Sequence, residues 1–437
     1  MRKNTKGITL IALVITIIVL LILSGVSIAM LTEKNGILTQ AQNAKSTTEN
    51  KNAEEKVKLA VAGAIAKSND GTLTMNNLKE ELSNYGITID KTEFPVEIEL
   101  DGQKLAINNS GKVTNYKKMA DITGQETANT TTKDSFGNYI VVPAGFKVIN
   151  LTENVTDGIV IEDVSHEATA GSQFVWIPVG NIIKDSNGNT ESIKLSRYTF
   201  ADDNVGTPID QGSAEIENIY DNSCNFIEMN TSTYGNATAK ENIESEETGF
   251  RKSAKDNHGY YIGRYEARDK VAIAERTNSS NATNQVVCTD NNYIYNYVTQ
   301  KQAAELSREM YSDNNFESDL VNSYAWDTAV YFLQIFDNRT DKTKAYSRQS
   351  SLNIGSLASQ GTNKLEDTSK QDVICNVYDM ASNCLEWTTE TCNSTDRPCT
   401  YRGGVYDGGS GYYTSLRYIN YTSSSGSSCS FRTILYM

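Results

Sequence analysis

The spacing of hydrophobic positions changes along the chain, and each change marks a new element. From Ile8 to Leu23 the residues are Ile, Leu, Val and Ala interrupted only by Thr9 and Thr16. About twenty such residues at ~1.5 Å rise cross a bilayer core of about 30 Å, which predicts a transmembrane helix over residues 8–30. From 31 to 67 the apolar residues become periodic, as in Val57, Leu59, Ala60, Val61, Ala64 and Ile65, the pattern of an amphipathic helix. Asn35-Gly36 is a point where it can break, and Asn69-Asp70-Gly71 closes it. Thr74 then stands as the cap of a short helix with Leu78 and Leu82 on one face and Gly86 at its end. Val96, Ile98 and Leu100 alternate with Glu97 and Glu99, Asp101-Gly102 supplies a tight turn, and Leu105 and Ile107 return as the second strand of a hairpin.

Residues 114–133 are rich in Thr, Asn and Asp with little apolar content, the composition of a linker. After it the pattern turns to short β-branched and aromatic runs bounded by Gly or Pro. Val175-Trp176-Ile177-Pro178 and Tyr260-Tyr261-Ile262 read as strands, and Asp185 to Glu191 as a hairpin turn. Ala325, Ala329, Phe332 and Phe336 share one side of a helix. The fold class expected is α+β, divided into a leader (1–7), a membrane helix (8–30), a helix-and-hairpin module (31–113), a linker (114–133) and a large mixed domain (134–437).

Charge changes this picture by exclusion. The formal net charge is -14 over 437 residues and no basic patch stands out, so a nucleic-acid partner is not expected. Arg2, Lys3 and Lys6 precede the apolar run, which orients the rest of the chain outward. Seven cysteines occur, and an outward-facing domain can hold Cys384, Cys392, Cys399 and Cys429 in one or two disulfides, with the odd total leaving a thiol over. Simple buried thiols are the alternative. Only His166 and His258 are present, too few for a zinc cage or a three-histidine iron site.

The leader ending in Gly7-Ile8 resembles that of type IV prepilins, a family in which a prepilin peptidase cuts after the glycine and the apolar helix stays in the membrane or packs against other pilin subunits. Where most of that family carries a glutamate this chain has Ala12. Without that carboxylate a neighbouring subunit's terminal amine would lie unpaired in an apolar core. A plain signal anchor is the other reading of the same residues.

The large domain resembles the formylglycine-generating-enzyme-like branch of the C-type-lectin fold. The likeness is carried by Phe174 to Gly180, Gly259 to Glu266, Ala325 to Ala329, Asn376 to Trp387, and Arg402-Gly403-Gly404 leading to Ser430-Phe431-Arg432. The oxidases of that branch use a cysteine pair shortly after the Arg-Gly-Gly element, and the stretch Val405 to Tyr413 here contains none. Enzymatic activity is therefore not expected, since Gly or Tyr cannot replace a thiolate as a metal ligand.

Tyrosine among Ser, Gly, Asn and Thr fills Tyr401 to Cys429 instead, a composition that gives rigid amphipathic contact area with adaptable hydrogen bonding. In this the chain is similar to the variable proteins of diversity-generating retroelements, which concentrate changeable residues in the same stretch. The candidate ligand-contacting residues are Tyr406, Asp407, Ser410, Tyr412, Tyr413, Thr414, Tyr418, Asn420 and Tyr421. The resemblance also implies a calcium site at Asn383 and Glu386, with a purely hydrogen-bonding role for the pair as the alternative. The expected function is surface display of a binding face for an external protein or glycan, in the cell membrane or on a pilus. A structural minor pilin with a decorative head is the second reading.

Overall fold

A computed structural model describes residues 37–149, 152–200, 206–209, 216–217, 225–228, 249–272, 276–279, 285–311, 315–339, 342–350, 372–392, 394, 396–406 and 408–437. The leader at Gly7-Ile8 and the apolar run of 8–30 lie outside these residues. Among the described residues no helix is long and apolar enough to cross a membrane. The chain divides into two compact units, one running to Ile107 with Gly111–Val113 and the other holding Asn108–Ser110 and Thr114–Met437.

In the first unit the helix Ile37–Ala66 buries Ala53, Val57, Ala60, Val61 and Ala64, positions three or four residues apart. Leu59 is not among them: it is 65% exposed, because two residues beyond Val57 is about 200° around the helix. The helix Met75–Ser83 begins at Thr74, whose hydroxyl accepts from Asn77 N at 3.3 Å, and it buries Leu78 and Leu82. The strands Val96–Leu100 and Gln103–Ile107 pair with Leu100 opposite Gln103. Asp101 and Gly102 both have positive φ, 52° and 80°, the two-residue turn whose twist matches that of the strands. The apolar sides of both helices and of the hairpin close one core.

The second unit is mixed α+β, mostly sheet with few helices. Residues 114–133 are not a linker in it. The strand Val113–Tyr116 pairs in parallel with Thr130–Lys133, which pairs antiparallel with Tyr139–Val142, and Thr130, Thr131 and Thr132 are buried. Threonine is β-branched and suits a strand, and the asparagine beside this run satisfies both ends of its amide. Asn129 Nδ2 donates to Asn315 O at 2.7 Å and its Oδ1 accepts from Ala144 N at 3.1 Å.

Its largest antiparallel sheet runs Glu317–Leu320, Thr433–Tyr436, Gly259–Gly263, Gln173–Pro178, Val160–Asp163 and Phe146–Ile149. The helices Gly249–Asp256 and Ser323–Ile335 share one apolar core with this sheet, which includes Trp176 and Trp326. A second sheet orders Ile216–Glu217, Asn225–Glu228, Leu385–Cys392, Cys399–Arg402 and Arg417–Asn420, with Cys429–Phe431 lying parallel on the start of Leu385–Cys392. Its core holds Trp387, Tyr401, Cys399 and Phe431.

Candidate binding surface

The surface stands on buried charge. All eight residues of Leu385–Cys392 are buried, so the acids in that strand need partners inside the protein. Glu390 accepts from Arg197 Nη2 at 2.8 Å, Arg402 Nη1 at 3.2 Å and Arg417 Nε at 2.9 Å. Arg402 and Arg417 reach on to the two oxygens of Asp327 in the helix Ser323–Ile335, and Tyr198 N donates to Asp327 Oδ2 at 2.9 Å. Burial alone would raise the Glu390 carboxyl, but the Arg417, Arg402 and Arg197 guanidiniums hold it down at about 2. This frame fixes the strands Cys399–Arg402 and Arg417–Asn420 to the helix behind them.

Gly403-Gly404 then brings the chain against the turn at 379–383. A Cβ on Gly404 would sit 1.9 Å from Ala381 O, and Gly403 has φ +86°, so neither position accepts a side chain. In the same turn Asn383 Nδ2 donates to Glu266, and Cys384 N donates to Glu266 Oε1 at 2.9 Å. Both oxygens of Glu386 are taken by Arg432, with Nε at 2.9 Å from Oε2 and Nη2 at 2.5 Å from Oε1. The pair expected to hold calcium is engaged here by hydrogen bonds, the alternative role: a guanidinium lies on both Glu386 oxygens, and the Asn383 amide faces an acid as a donor. Among the described residues no cluster of three His, Cys, Asp or Glu is placed to hold a metal ion.

The tyrosine stretch lies beyond this base. In Arg417–Asn420 burial alternates, with Arg417 and Ile419 inward and Tyr418 and Asn420 half-buried on the other face. Tyr412 and Tyr418 lie 5.8 Å apart by ring centroid, and both pack against the core below together with Tyr406. Ser410 is exposed and Tyr421 is 46% exposed, with Arg397 over its ring at 4.9 Å and donating to its hydroxyl at 3.1 Å. Asn420 Nδ2 donates to Tyr401 Oη at 3.2 Å and its Oδ1 accepts from Ser424 Oγ at 2.5 Å, which fixes the amide at the rim.

Two candidates are corrected. Tyr413 is buried under Arg348, 4.7 Å from its ring, and Thr414 is fully buried with its hydroxyl donating to Tyr346 O at 2.8 Å. They hold the loop from inside, because the chain turns into the core between Tyr412 and Leu416. Asp407 lies outside the described residues.

The cysteine expectation changes too. Cys384, Cys399 and Cys429 are buried free thiols, and only Cys392 of the four is disulfide-bonded. Cys429 Sγ donates to Tyr401 Oη at 3.3 Å, and Tyr401 stacks on Trp387 with centroids 3.7 Å apart. The two histidines serve separate places: His166 Nδ1 is 2.8 Å from Asp163 Oδ1, and His258 packs beside Gly180.

Residues not anticipated are Tyr346, Arg348 and Asp372, which brace the loop from beneath, and Arg197 and Arg417 of the ion-pair frame. Their only mark in the sequence is an arginine inside an apolar run, as in Leu416-Arg417-Tyr418-Ile419. A cleft of about 580 Å³ lined by Met119, Ile122, Lys133 and Val148, among others, shares no residue with the tyrosine surface.

No family model matches this sequence, and no curated protein matches it. Solved structures similar to the chain include Treponema denticola variable protein 1, at 10% identity and a TM-score of 0.32, with 62% of this chain and 98% of that chain covered. They also include CarF, at 13% identity and a TM-score of 0.28, with 41% of this chain and 87% of that chain covered.

Proposed function

We propose that the chain is a non-enzymatic binding protein that holds its tyrosine surface outside the cell on an amino-terminal membrane anchor. The observation that carries this reading is the placement of Tyr406, Tyr412, Tyr418 and Tyr421 at the surface above a fully buried ion-pair frame. Tyrosines with half-buried rings lose little entropy on contact, so they supply binding area without reorganisation. The partner is an external protein or glycan that meets these rings.

The test uses the full chain and two probes, an array of glycans and an array of extracellular proteins. Replacing Tyr412, Tyr418 and Tyr421 together by Ala should weaken binding to the features the native protein retains by about a hundredfold or more, since a central aromatic contact contributes about 2 kcal/mol. Unchanged thermal unfolding must accompany the loss. A triple variant that binds as well as the native protein would sink the reading.

A further inference from the structure

The loop carrying Tyr406 to Tyr413 is held at both ends by backbone contacts that converge on one buried carboxyl group. At its start Gly404 N donates to Met380 O at 3.3 Å and Tyr406 N to Asn383 O at 2.9 Å, so the loop leaves from the turn at 379–383. At its finish it lies along residues 346–349. Thr414 N donates to Gln349 O at 3.0 Å, Thr414 Oγ1 to Tyr346 O at 2.8 Å, and Ser415 N and Oγ to Ser347 O at 3.0 and 2.9 Å. Asp372 joins the two supports. Its Oδ2 accepts from the Tyr346 hydroxyl at 2.9 Å and from Ala381 N at 2.8 Å, while Asp379 N donates to its carbonyl at 2.8 Å. The residue is 2% exposed, and its Oδ1 is buried with no hydrogen-bond partner.

We propose that Asp372 is a proton-linked clamp on the tyrosine loop: the closed loop encloses it as the neutral acid between both supports, and its ionisation favours opening to water. This rests on the reading of that loop as the binding surface. A carboxylate with one bare oxygen in a dry site carries a cost that the neutral acid avoids. Burial is the main influence on the group and pushes it up to about 7. Asp379, facing it from the turn, acts the same way, whereas Ala381 N, the Tyr346 hydroxyl and Arg339, just beyond the helix Ser323–Ile335, act against it. Opening that admits water returns Asp372 to the ordinary carboxylic range. The closed form then binds more protons than the open one between about pH 4 and 7. Raising pH through that window favours opening about tenfold per unit, and the effect levels off above it.

Hydrogen exchange of the full chain from pH 4.5 to 8, corrected for the intrinsic rate, reads this directly without any ligand. Amides of 404–416 should show opening that rises about tenfold per pH unit below 7 and then flattens. Asp372→Asn, which keeps an acceptor but cannot ionise, should make the profile flat, while Asp379→Asn should keep the slope. If Asp372→Asn fails to fold, Tyr346→Phe serves, with opening raised at every pH and the slope retained. A flat native profile, a slope that survives Asp372→Asn, or a slope shared equally by every amide of the second unit would overturn the clamp. A flat profile would leave the binding surface standing, and failure of the tyrosine variants to lose binding would leave the clamp standing.

Discussion

Replacing Glu390 by Gln asks how much the buried ion-pair frame contributes to stability. The substitution takes a carboxylate away from Arg197, Arg402 and Arg417 and leaves Arg402 and Arg417 with that of Asp327. In the folded protein the Glu390 carboxyl is held at about 2 against an ordinary 4.5, a difference that corresponds to about 3 kcal/mol. Removing one partner of a buried ion pair costs about 3 to 5 kcal/mol in other proteins, so the two routes agree. At about 2–4 °C per kcal/mol for a domain of this size, the melting temperature should fall by about 10 °C at pH 7.

The sign with pH is fixed by the depressed value. The stabilisation is fully present above the unfolded carboxyl's range and is lost as pH falls toward 2, so the gap between native and variant should narrow steadily below pH 4.5. Differential scanning calorimetry at pH 7, 5, 4 and 3 measures it. A gap under about 2 °C at neutral pH, or one that stays constant down to pH 3, would refute the claim that these arginines hold the site together.

Gly404→Ala should unfold the second unit or cost more than about 4 kcal/mol, because backbone must move to clear Ala381 O, whereas Gly409→Ala has open space around it and should cost only about 1 kcal/mol of left-handed strain. Urea titration followed by near-ultraviolet circular dichroism distinguishes the two. Alkylation with iodoacetamide and peptide mapping should modify Cys384, Cys399 and Cys429 only after denaturation, since burial pushes the Cys384 thiol up and all three are enclosed. Labelling of the native protein at any of them would contradict the closed packing around Tyr401.

What the sequence makes legible is local. Asp101-Gly102 fixes its hairpin because both residues tolerate positive φ, and Thr74 fixes a helix start because its hydroxyl replaces a missing backbone partner. The helix containing Trp326 shows in its apolar spacing and runs Ser323–Ile335. The Thr and Asn run at 129–133 misleads, because hydrophobicity measures transfer from water and takes no account of hydrogen bonds completed inside. The ion-pair frame joins positions 12 to 193 residues apart, a separation no spacing rule covers. Within the tyrosine stretch, composition points to the surface but does not separate Tyr412 from Tyr413. That division depends on where Arg348 and Tyr346 arrive from elsewhere in the chain.

The alternation along Arg417–Asn420 has a consequence for substitution. One set of side chains anchors the strand in the interior, while Tyr418 and Asn420 on the other face are half-buried, the first against Tyr412 and the second bonded to Tyr401. Substitution at Tyr418 or Asn420 therefore takes away a ring contact or one amide's hydrogen bonds, whereas substitution at Arg417 or Ile419 takes away a buried ion pair or a core side chain.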